Sequence, residues 1–305
     1  MGQSDEIDLV IVIVTYNSAA LIGNLLDSLP AALGSVRAEV VVVDNGSSDD
    51  TAEVVAARSD CTLVRSTNTG YSAGINNGVK AGRPADKILI LNPDVEMGPE
   101  SIPPLMAALS DPTVGISTPQ MRGPDGSLQH SLRREPTILR TLGLTRLGSP
   151  RFSENIDDDA SYSRAQRVDW AAGAVLMFTR HCNDVVGGWD ESYFLYSEET
   201  EYCLTARDHG LATVYVPDAW AMHIGAQSSQ RSDKTHAMQV INRIRCYRRR
   251  HTATQAAVFM ALTLAREALW GIRSNKSGSR GAVLALMRPS RRPAEIGASG
   301  SFLPR

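Results

Sequence analysis

Several features that define other protein classes are missing from this 305-residue sequence. Its four cysteines form no CxxC pair and no zinc-ligand spacing, so we expect neither a disulfide framework nor a structural zinc site. The N-terminus has no basic segment followed by an apolar one, and we expect no secretory signal. The longest apolar run near the C-terminus, residues 256–265, is about half of the roughly 20 residues that a spanning helix needs. These absences favour a cytoplasmic globular protein.

Basic residues are scarce in most of the chain and abundant only at its end. Residues 1–230 contain 16 Lys and Arg against 30 Asp and Glu, whereas residues 231–305 contain 15 against 3. A basic region attracts nucleic acid, anionic lipid or an acidic partner, and charge by itself does not choose among them. We therefore predict a main domain over residues 1–230 and a separate basic helical region over 231–305, with a disordered end from about residue 288.

Hydrophobic patterning predicts an open α/β sheet. Apolar β-branched runs at residues 9–14, 40–43 and 87–91 alternate with helical patterns, and this alternation is typical of parallel strands. A Pro-, Gly- and Ser-rich variable region follows at residues 133–167. Polar clusters come directly after the three strands, where ligands of such sheets bind: Thr15-Tyr16-Asn17, Asp44-Asn45 and Asn92-Pro93-Asp94. Any one cluster is explained by a turn, but the three together indicate a binding site.

Two groups of residues suit catalysis by charge and proton transfer. Asp94 follows a buried strand through a stiff Asn-Pro turn, which fixes a carboxylate where a hard divalent cation could bind, and His223 is a candidate second ligand. A lone histidine is more often structural. Glu198 and Glu199 begin a predicted helix beside an aromatic stretch, so they are candidates for a general base or simple helix-capping residues.

The order of these motifs resembles family 2 glycosyltransferases, which are inverting enzymes of the Rossmann-like, nucleotide-sugar-binding GT-A fold, and especially their bacterial rhamnosyltransferase-like branch. The resemblance covers roughly residues 9–225. It is carried by the three strand-end clusters and by further motifs downstream: Asn68-Thr69-Gly70-Tyr71, Gly74-Ile75-Asn76-Asn77-Gly78, Gly187-Gly188-Trp189-Asp190-Glu191, Phe194-Leu195-Tyr196-Ser197-Glu198-Glu199 and His223.

The resemblance implies roles for residues that hold the sugar donor. The cluster Thr15-Tyr16-Asn17 and Asp44 would form the nucleoside pocket. The loop that closes over the donor phosphate and sugar would contain Asn68, Gly70 and Asn76.

It also implies the metal ligands and the catalytic groups. Asn92 stands where many relatives have the first acid of an Asp-x-Asp motif, which would leave Asp94 as the main ligand of Mg²⁺ or Mn²⁺. Glu199 matches the general-base position with a longer side chain than the usual aspartate, and Glu198 is the alternative. Asp190 resembles an acceptor-side carboxylate.

The function implied is metal-dependent transfer of L-rhamnose from dTDP-rhamnose to a glycan or lipid-linked acceptor in cell-envelope polysaccharide synthesis. UDP-linked hexoses, including galactofuranose, would fit the same pocket residues. A nucleotide-sugar-binding protein that has lost turnover is a further alternative, supported only by glutamate at position 199. A nucleic-acid role is disfavoured because the basic cluster at residues 243–250 has a single aromatic residue, Tyr247.

The basic region also contains an amphipathic helical pattern. Apolar residues spaced by three and four lie on one predicted face, with Trp270 beside them: Val258, Leu262, Ala265, Leu269 and Ile272. Together with the basic cluster at residues 243–250, this face predicts attachment to the anionic inner surface of the cell membrane. Packing of the same helix on the main domain, or on a second subunit in a homodimer, is the alternative.

Overall fold

The computed structural model describes residues 6–144, 148–225, 232–273 and 277–296. The strands are β1 Leu9–Thr15, β2 Ala38–Asp44, β3 Thr62–Arg65, β4 Lys87–Leu91, β5 Val95–Met97, β6 Val114–Arg122, β7 Leu128–Gln129, β8 Leu132–Arg133, β9 Gln166–Val168, β10 Trp170–Ala171, β11 Val175–Thr179 and β12 Ala212–His223. The α-helices are α1 Ile22–Leu33, α2 Thr51–Ala56, α3 Tyr71–Ala81, α4 Ile102–Ala108, α5 Ile138–Thr141, α6 Arg180–Val186, α7 Glu198–Asp208, α8 Asp233–Arg250, α9 Ala253–Arg273 and α10 Ser277–Met287.

One mixed sheet of ten strands forms the centre of the main domain, with the main order β3-β2-β1-β4-β11-β6-β12-β5. The first four strands are parallel, and Thr15 at the end of β1 lies beside Asp44 at the end of β2. β11 enters the sheet antiparallel, between β4 and β6. The predicted open α/β sheet is confirmed, and the shared edge of β1, β2 and β4 collects the strand-end residues.

Both faces of β1 are buried, which explains its uninterrupted apolar sequence. Ile11 and Ile13 belong to one core cluster, while Val12 and Val14 belong to the other, where α3 packs. A side chain at Gly78 of α3 would place a Cβ 2.3 Å from Cγ1 of Val12. The glycine therefore lets α3 approach the sheet closely and brings its N-terminal end to the strand edge.

The variable region and the end of the described chain both contain short ordered elements. The variable region at residues 133–167 contains α5 and two 3-10 turns, and its last residues form most of β9. Residues 289–291 and 294–296 also form 3-10 turns, and Ile296 is buried. The prediction of a disordered end from about residue 288 is therefore wrong for residues 288–296, and residues 297–305 lie outside the described part.

The basic cluster of α8 faces the main domain and not the surroundings. Arg243 pairs with Glu154 at 2.7 Å, and Arg250 pairs with Asp208 at 2.7 Å and Glu201 at 3.0 Å. The prediction that this cluster forms a separate cationic surface is wrong for these residues. The physical reason is that the acidic main domain is itself the nearest source of negative charge.

The next helix, α9, has one face packed and one face exposed. Phe259 and Thr263 are buried, whereas Leu269 and Ile272 of the apolar stripe are 60% and 77% exposed. None of the helices within the described residues is both long and apolar enough to cross a bilayer.

Candidate functional site

The loops after β1 and β2 are held together by short polar contacts. The Asn17 side-chain oxygen accepts a hydrogen bond from the Ser48 backbone amide at 2.8 Å. The backbone amide of Asn17 donates to Ser47 Oγ at 2.9 Å. Asp44 is buried and accepts hydrogen bonds from the Ser47 hydroxyl and, at 3.4 Å, from Thr15 Oγ1. Tyr16 is exposed between these loops. The predicted nucleoside residues thus lie together at the sheet edge.

A second loop closes against the first. The Asn45 side chain donates to the Gly70 carbonyl at 3.0 Å, and the Asn68 side chain accepts from the Gly70 amide at 3.3 Å. Gly70 has a φ of 110°, and an added Cβ would lie 2.8 Å from the Phe194 backbone. Only glycine fits this close approach of two backbones. This contact joins the loop of Asn68 and Gly70 to the segment that leads into Glu198 and Glu199.

Two predicted site residues have structural partners instead. Both ends of the Asn76 amide bond the turn after α6, with Nδ2 2.8 Å from the Trp189 carbonyl oxygen and Oδ1 3.0 Å from the Trp189 amide nitrogen. Asp190 forms a salt bridge with Arg249 of α8. In the structure, Asn76 therefore connects α3 to the turn after α6, and Asp190 connects that turn to α8.

Asp94 and His223 meet because β5 pairs with the end of β12. Val95 lies opposite His223 in that pairing, and His223 Nε2 is 3.3 Å from Asp94 Oδ1. Burial by itself raises the pKa of the Asp94 carboxyl, but the hydrogen bond and charge of His223 and hydrogen bonds from the backbone together outweigh burial, so the net pKa is lowered. An ionised carboxylate is therefore held at this edge of the sheet.

These two residues fit a divalent cation that takes its other ligands from substrate. The second oxygen of Asp94, Oδ2, is buried and has no hydrogen-bond partner within the described residues. No group of three or more acidic, histidine or cysteine side chains able to hold a metal occurs in the described part of the chain. A cation here would therefore have Asp94 and His223 as protein ligands and an incomplete shell open to phosphate oxygens.

Glu198 and Glu199 begin α7 after a strained turn. Tyr196 and Ser197 both have positive φ values, 70° and 71°, which non-glycine residues adopt at an energetic cost. Burial raises the pKa of both glutamates, and the charge of Glu199 raises the pKa of Glu198 further. In each carboxyl, Oε2 is buried without a hydrogen-bond partner among the described residues.

The hydroxyl of the half-buried Tyr71 faces the turn after β4. It donates to Asn92 Oδ1 at 2.7 Å. Burial, followed by the charges of Glu198, Glu199 and Asp94, raises the pKa of this phenol well above its ordinary value. The charges of the candidate metal ligand and of both candidate bases therefore act on a single side chain.

The two glutamates differ in exposure, because Glu199 is half-buried and Glu198 is buried. Glu199 lines a cavity of about 460 Å³ formed with the variable region, α8 and α9, whereas Glu198 is absent from its walls. A group in this cavity would reach Glu199 without displacing the residues around Asp94. This exposure favours Glu199 over Glu198 as the proton acceptor.

Helix α8 supports the strained turn through a residue that the sequence did not single out. Asn242 is fully buried, and its Nδ2 donates to the carbonyls of Leu195 at 2.9 Å and Tyr196 at 3.2 Å. Arg245 donates to Asn242 Oδ1 at 2.8 Å. The available signal was a lone asparagine in an apolar stretch of α8, which indicates a required hydrogen bond.

Comparisons with known proteins agree with this architecture. The model of a family described as "Glycosyltransferase like family 2" matches residues 8–245. The N-acetylglucosaminyl-diphospho-decaprenol L-rhamnosyltransferase of Mycobacterium tuberculosis is 32% identical over 247 residues, which cover 75% of this chain and 80% of that protein. The low-salt glycan biosynthesis hexosyltransferase Agl10 of Haloferax volcanii is 30% identical over 204 residues, covering 66% and 62%.

A solved structure gives the same fold at low sequence identity. The Pyrobaculum calidifontis mannosyltransferase PcManGT, in complex with GDP-Man and Mn²⁺, has a TM-score of 0.57 and 17% identity, and the match covers 97% of this chain and 86% of that one. The chain shares the mixed α/β architecture of GT-A glycosyltransferases.

Replacing Asn242 should destabilise the protein through the turn that it supports. In Asn242→Ala, buried carbonyls lose their donor, and we expect the free energy of unfolding to fall by about 1–3 kcal/mol. Gln239→Ala, one turn earlier on α8, should change it by less than about 0.5 kcal/mol, because no hydrogen bond of the Gln239 side chain occurs among the described residues. Urea denaturation measures both, and equal effects of the two substitutions would contradict the assignment.

Proposed function

Because this chain belongs to glycosyltransferase family 2, we propose that it transfers a sugar from a nucleoside-diphosphate donor to a lipid-linked glycan acceptor in cell-envelope polysaccharide synthesis. The observation that carries the proposal is the pair Asp94 and His223, whose side chains lie 3.3 Å apart at the sheet edge while Asp94 Oδ2 has no hydrogen-bond partner among the described residues. L-Rhamnose from dTDP-rhamnose is the first candidate donor sugar, because the relative from Mycobacterium tuberculosis is named for rhamnosyl transfer to a diphospho-decaprenol acceptor.

The donor binds along the carboxyl ends of β1, β2 and β4. Asp44 and Asn17 accept hydrogen bonds from the nucleoside, and the exposed ring of Tyr16 offers a surface for the base. Asn68 and Gly70 belong to the loop that covers the phosphates. Asn92 lies at the end of β4 and is hydrogen-bonded to Tyr71.

Asp94 and His223 would hold Mg²⁺ or Mn²⁺. When bound, such a cation neutralises the charge that develops on the departing diphosphate. The lowered pKa of Asp94 keeps its carboxylate ionised at neutral pH, and its unpartnered Oδ2 supports a role as ligand.

Glu199 removes the proton from the acceptor hydroxyl. That oxygen forms the new bond to the anomeric carbon as the bond from this carbon to the diphosphate oxygen breaks, which inverts the configuration. The raised pKa of Glu199 makes its carboxylate a stronger proton acceptor than an exposed glutamate. Its position on the cavity wall gives the acceptor access to it.

The exposed stripe of α9 lies against the anionic inner surface of the cell membrane. Leu269 and Ile272 are the most exposed members of the stripe. The basic residues that accompany them are not those of α8 but exposed arginines further along the chain: Arg273, Arg280, Arg288 and Arg291.

Donor turnover should require a divalent cation and Asp94. Among dTDP-rhamnose, UDP-glucose and UDP-galactofuranose, we expect dTDP-rhamnose to give the fastest release of nucleoside diphosphate. We expect this release to be lost in excess chelator and in Asp94→Ala. Asp218→Ala, an exposed carboxylate in β12, is the matched control and should retain full activity. Full activity of Asp94→Ala would refute the metal assignment, and donor binding without any turnover would favour the non-catalytic alternative.

Removal of the Glu199 carboxylate should slow transfer and leave donor affinity unchanged. We expect Glu199→Gln to reduce kcat by roughly 10²-fold or more, the lower end of general-base effects. Since the base must be deprotonated and burial raises its pKa, wild-type kcat should fall on the acid side at a pH above the ordinary glutamate value of 4.5. Glu198→Gln is the comparison, and a larger loss there would assign the base to Glu198.

The exposed stripe should determine membrane binding. We expect wild-type protein to float with anionic vesicles and not with zwitterionic ones, and Leu269→Ser/Ile272→Ser to bind at least about tenfold more weakly, because two apolar side chains are lost. Unchanged donor turnover by the double variant would verify its fold. Equal flotation of both proteins would refute the proposal. If wild-type protein does not float but forms a dimer, and the double variant is a monomer, the stripe contacts a second subunit instead.

A further inference from the structure

The cavity beside Glu199 is lined by arginines from three separate parts of the chain. Arg133 and Arg140 come from the segment before and within α5, Arg243 comes from α8, and Arg266 comes from α9. Its volume of about 460 Å³ lies within the range of small-molecule pockets. None of the strand-end residues proposed to hold the donor lines it. The cavity is therefore separate from the donor edge and joined to it through Glu199.

Two of the three carboxylates that line this cavity are already paired, and the third is Glu199. Glu154 accepts from Arg243 at 2.7 Å, and Glu267 lies 2.9 Å from His236 Nε2. Within the described residues, this pairing leaves the other three arginines of the cavity without a carboxylate at ion-pair distance.

Two of these three arginines are held in place by backbone carbonyls. Arg133 donates to the His130 carbonyl at 2.6 Å, and Arg140 donates to the Glu135 carbonyl at 2.6 Å. Carbonyl contacts orient a guanidinium but do not neutralise its charge. Arg266 has no hydrogen-bond or ion-pair partner among the described residues.

This arrangement is unfavourable until an anion enters. Burial lowers the pKa of Arg140 and of Arg266, and the positive charge of Arg243 lowers the pKa of Arg266 further. A phosphate group would relieve this repulsion, because the planar guanidinium fork matches the spacing of phosphate oxygens and forms strong charge-assisted hydrogen bonds.

We propose that the cavity binds the diphosphate of the lipid-linked acceptor through Arg133, Arg140 and Arg266, an inference that rests on the proposed function. Helix α9 contributes Arg266 to the cavity and carries the exposed stripe on its outer face, so one helix contacts both the diphosphate and the apolar tail. The sugar attached to the diphosphate then lies toward Glu199. Arg243 is excluded from the proposed set because Glu154 already neutralises it.

Acceptor kinetics of the full chain test this assignment. Three acceptors share one sugar, N-acetylglucosamine, and one short isoprenoid tail, joined by a diphosphate, a monophosphate or no phosphate. For Arg266→Gln we expect KM for the diphosphate acceptor to rise about 10- to 100-fold, while kcat and donor KM stay nearly unchanged. The KM for the phosphate-free acceptor should stay constant. Arg164→Gln, which changes an exposed arginine before β9 that is absent from the cavity walls, is the matched control and should behave as wild type.

Other outcomes of these kinetics overturn the inference. A rise in donor KM would mean that the cavity binds the donor diphosphate, and an equal rise for all three acceptors would mean a structural role for Arg266. Donor hydrolysis without acceptor reports on the proposed function separately. If hydrolysis is intact and Arg266→Gln has no effect on any acceptor, the diphosphate site fails and the glycosyltransferase assignment stands.

A binding measurement gives an answer even if none of the acceptors is used. Inorganic pyrophosphate in excess chelator, which excludes the metal-dependent donor edge, should raise the Tm of wild type and Arg164→Gln. It should not raise the Tm of Arg140→Gln/Arg266→Gln. An equal shift in all three proteins, or no shift in wild type, would refute the arginine site.

Discussion

The support of the Tyr196–Ser197 turn by α8 is the interaction on which the catalytic geometry depends. Two consecutive residues with φ near 70° do not persist unless the surrounding structure compensates for their cost. The buried Asn242 provides that compensation by bonding the carbonyls of Leu195 and Tyr196. Since α7 starts immediately after this turn, the directions of Glu198 and Glu199 depend on a helix more than forty residues away in sequence.

The candidate metal ligand and the candidate bases have opposite electrostatic environments. Asp94 is buried but faces His223, and its pKa is lowered. Glu198 and Glu199 are buried beside each other without a cationic partner at ion-pair distance among the described residues, and their pKa values are raised. In the proposed mechanism, these opposite pKa shifts suit Asp94 to the role of an ionised ligand and Glu199 to the role of a proton acceptor.

The unequal distribution of charge along the sequence acts mainly within the molecule. The acidic main domain attracts the basic helix α8, whose arginines pair with Glu154, Asp190 and Glu201. Asp190, proposed from the motif as an acceptor-side carboxylate, is one of these partners. Among the described residues, arginines without a carboxylate at ion-pair distance include Arg133, Arg140 and Arg266 in the cavity beside Glu199 and exposed arginines of α9 and α10. The site is therefore built from both charge regions, which together form one packed unit.

The sequence by itself determined the parallel sheet and the edge at which Thr15, Asp44 and Asp94 gather, because both follow from local hydrophobic runs and from the residues that end them. It also identified the pair Glu198 and Glu199, but it could not choose between them. The position of Glu199 on a cavity wall, the structural contacts of Asn76 and the inward direction of the α8 arginines were decided by the tertiary structure. The reason is physical: burial, pairing and access to a cavity depend on contacts between residues far apart in the chain, such as the 113 positions that separate Asn76 from Trp189.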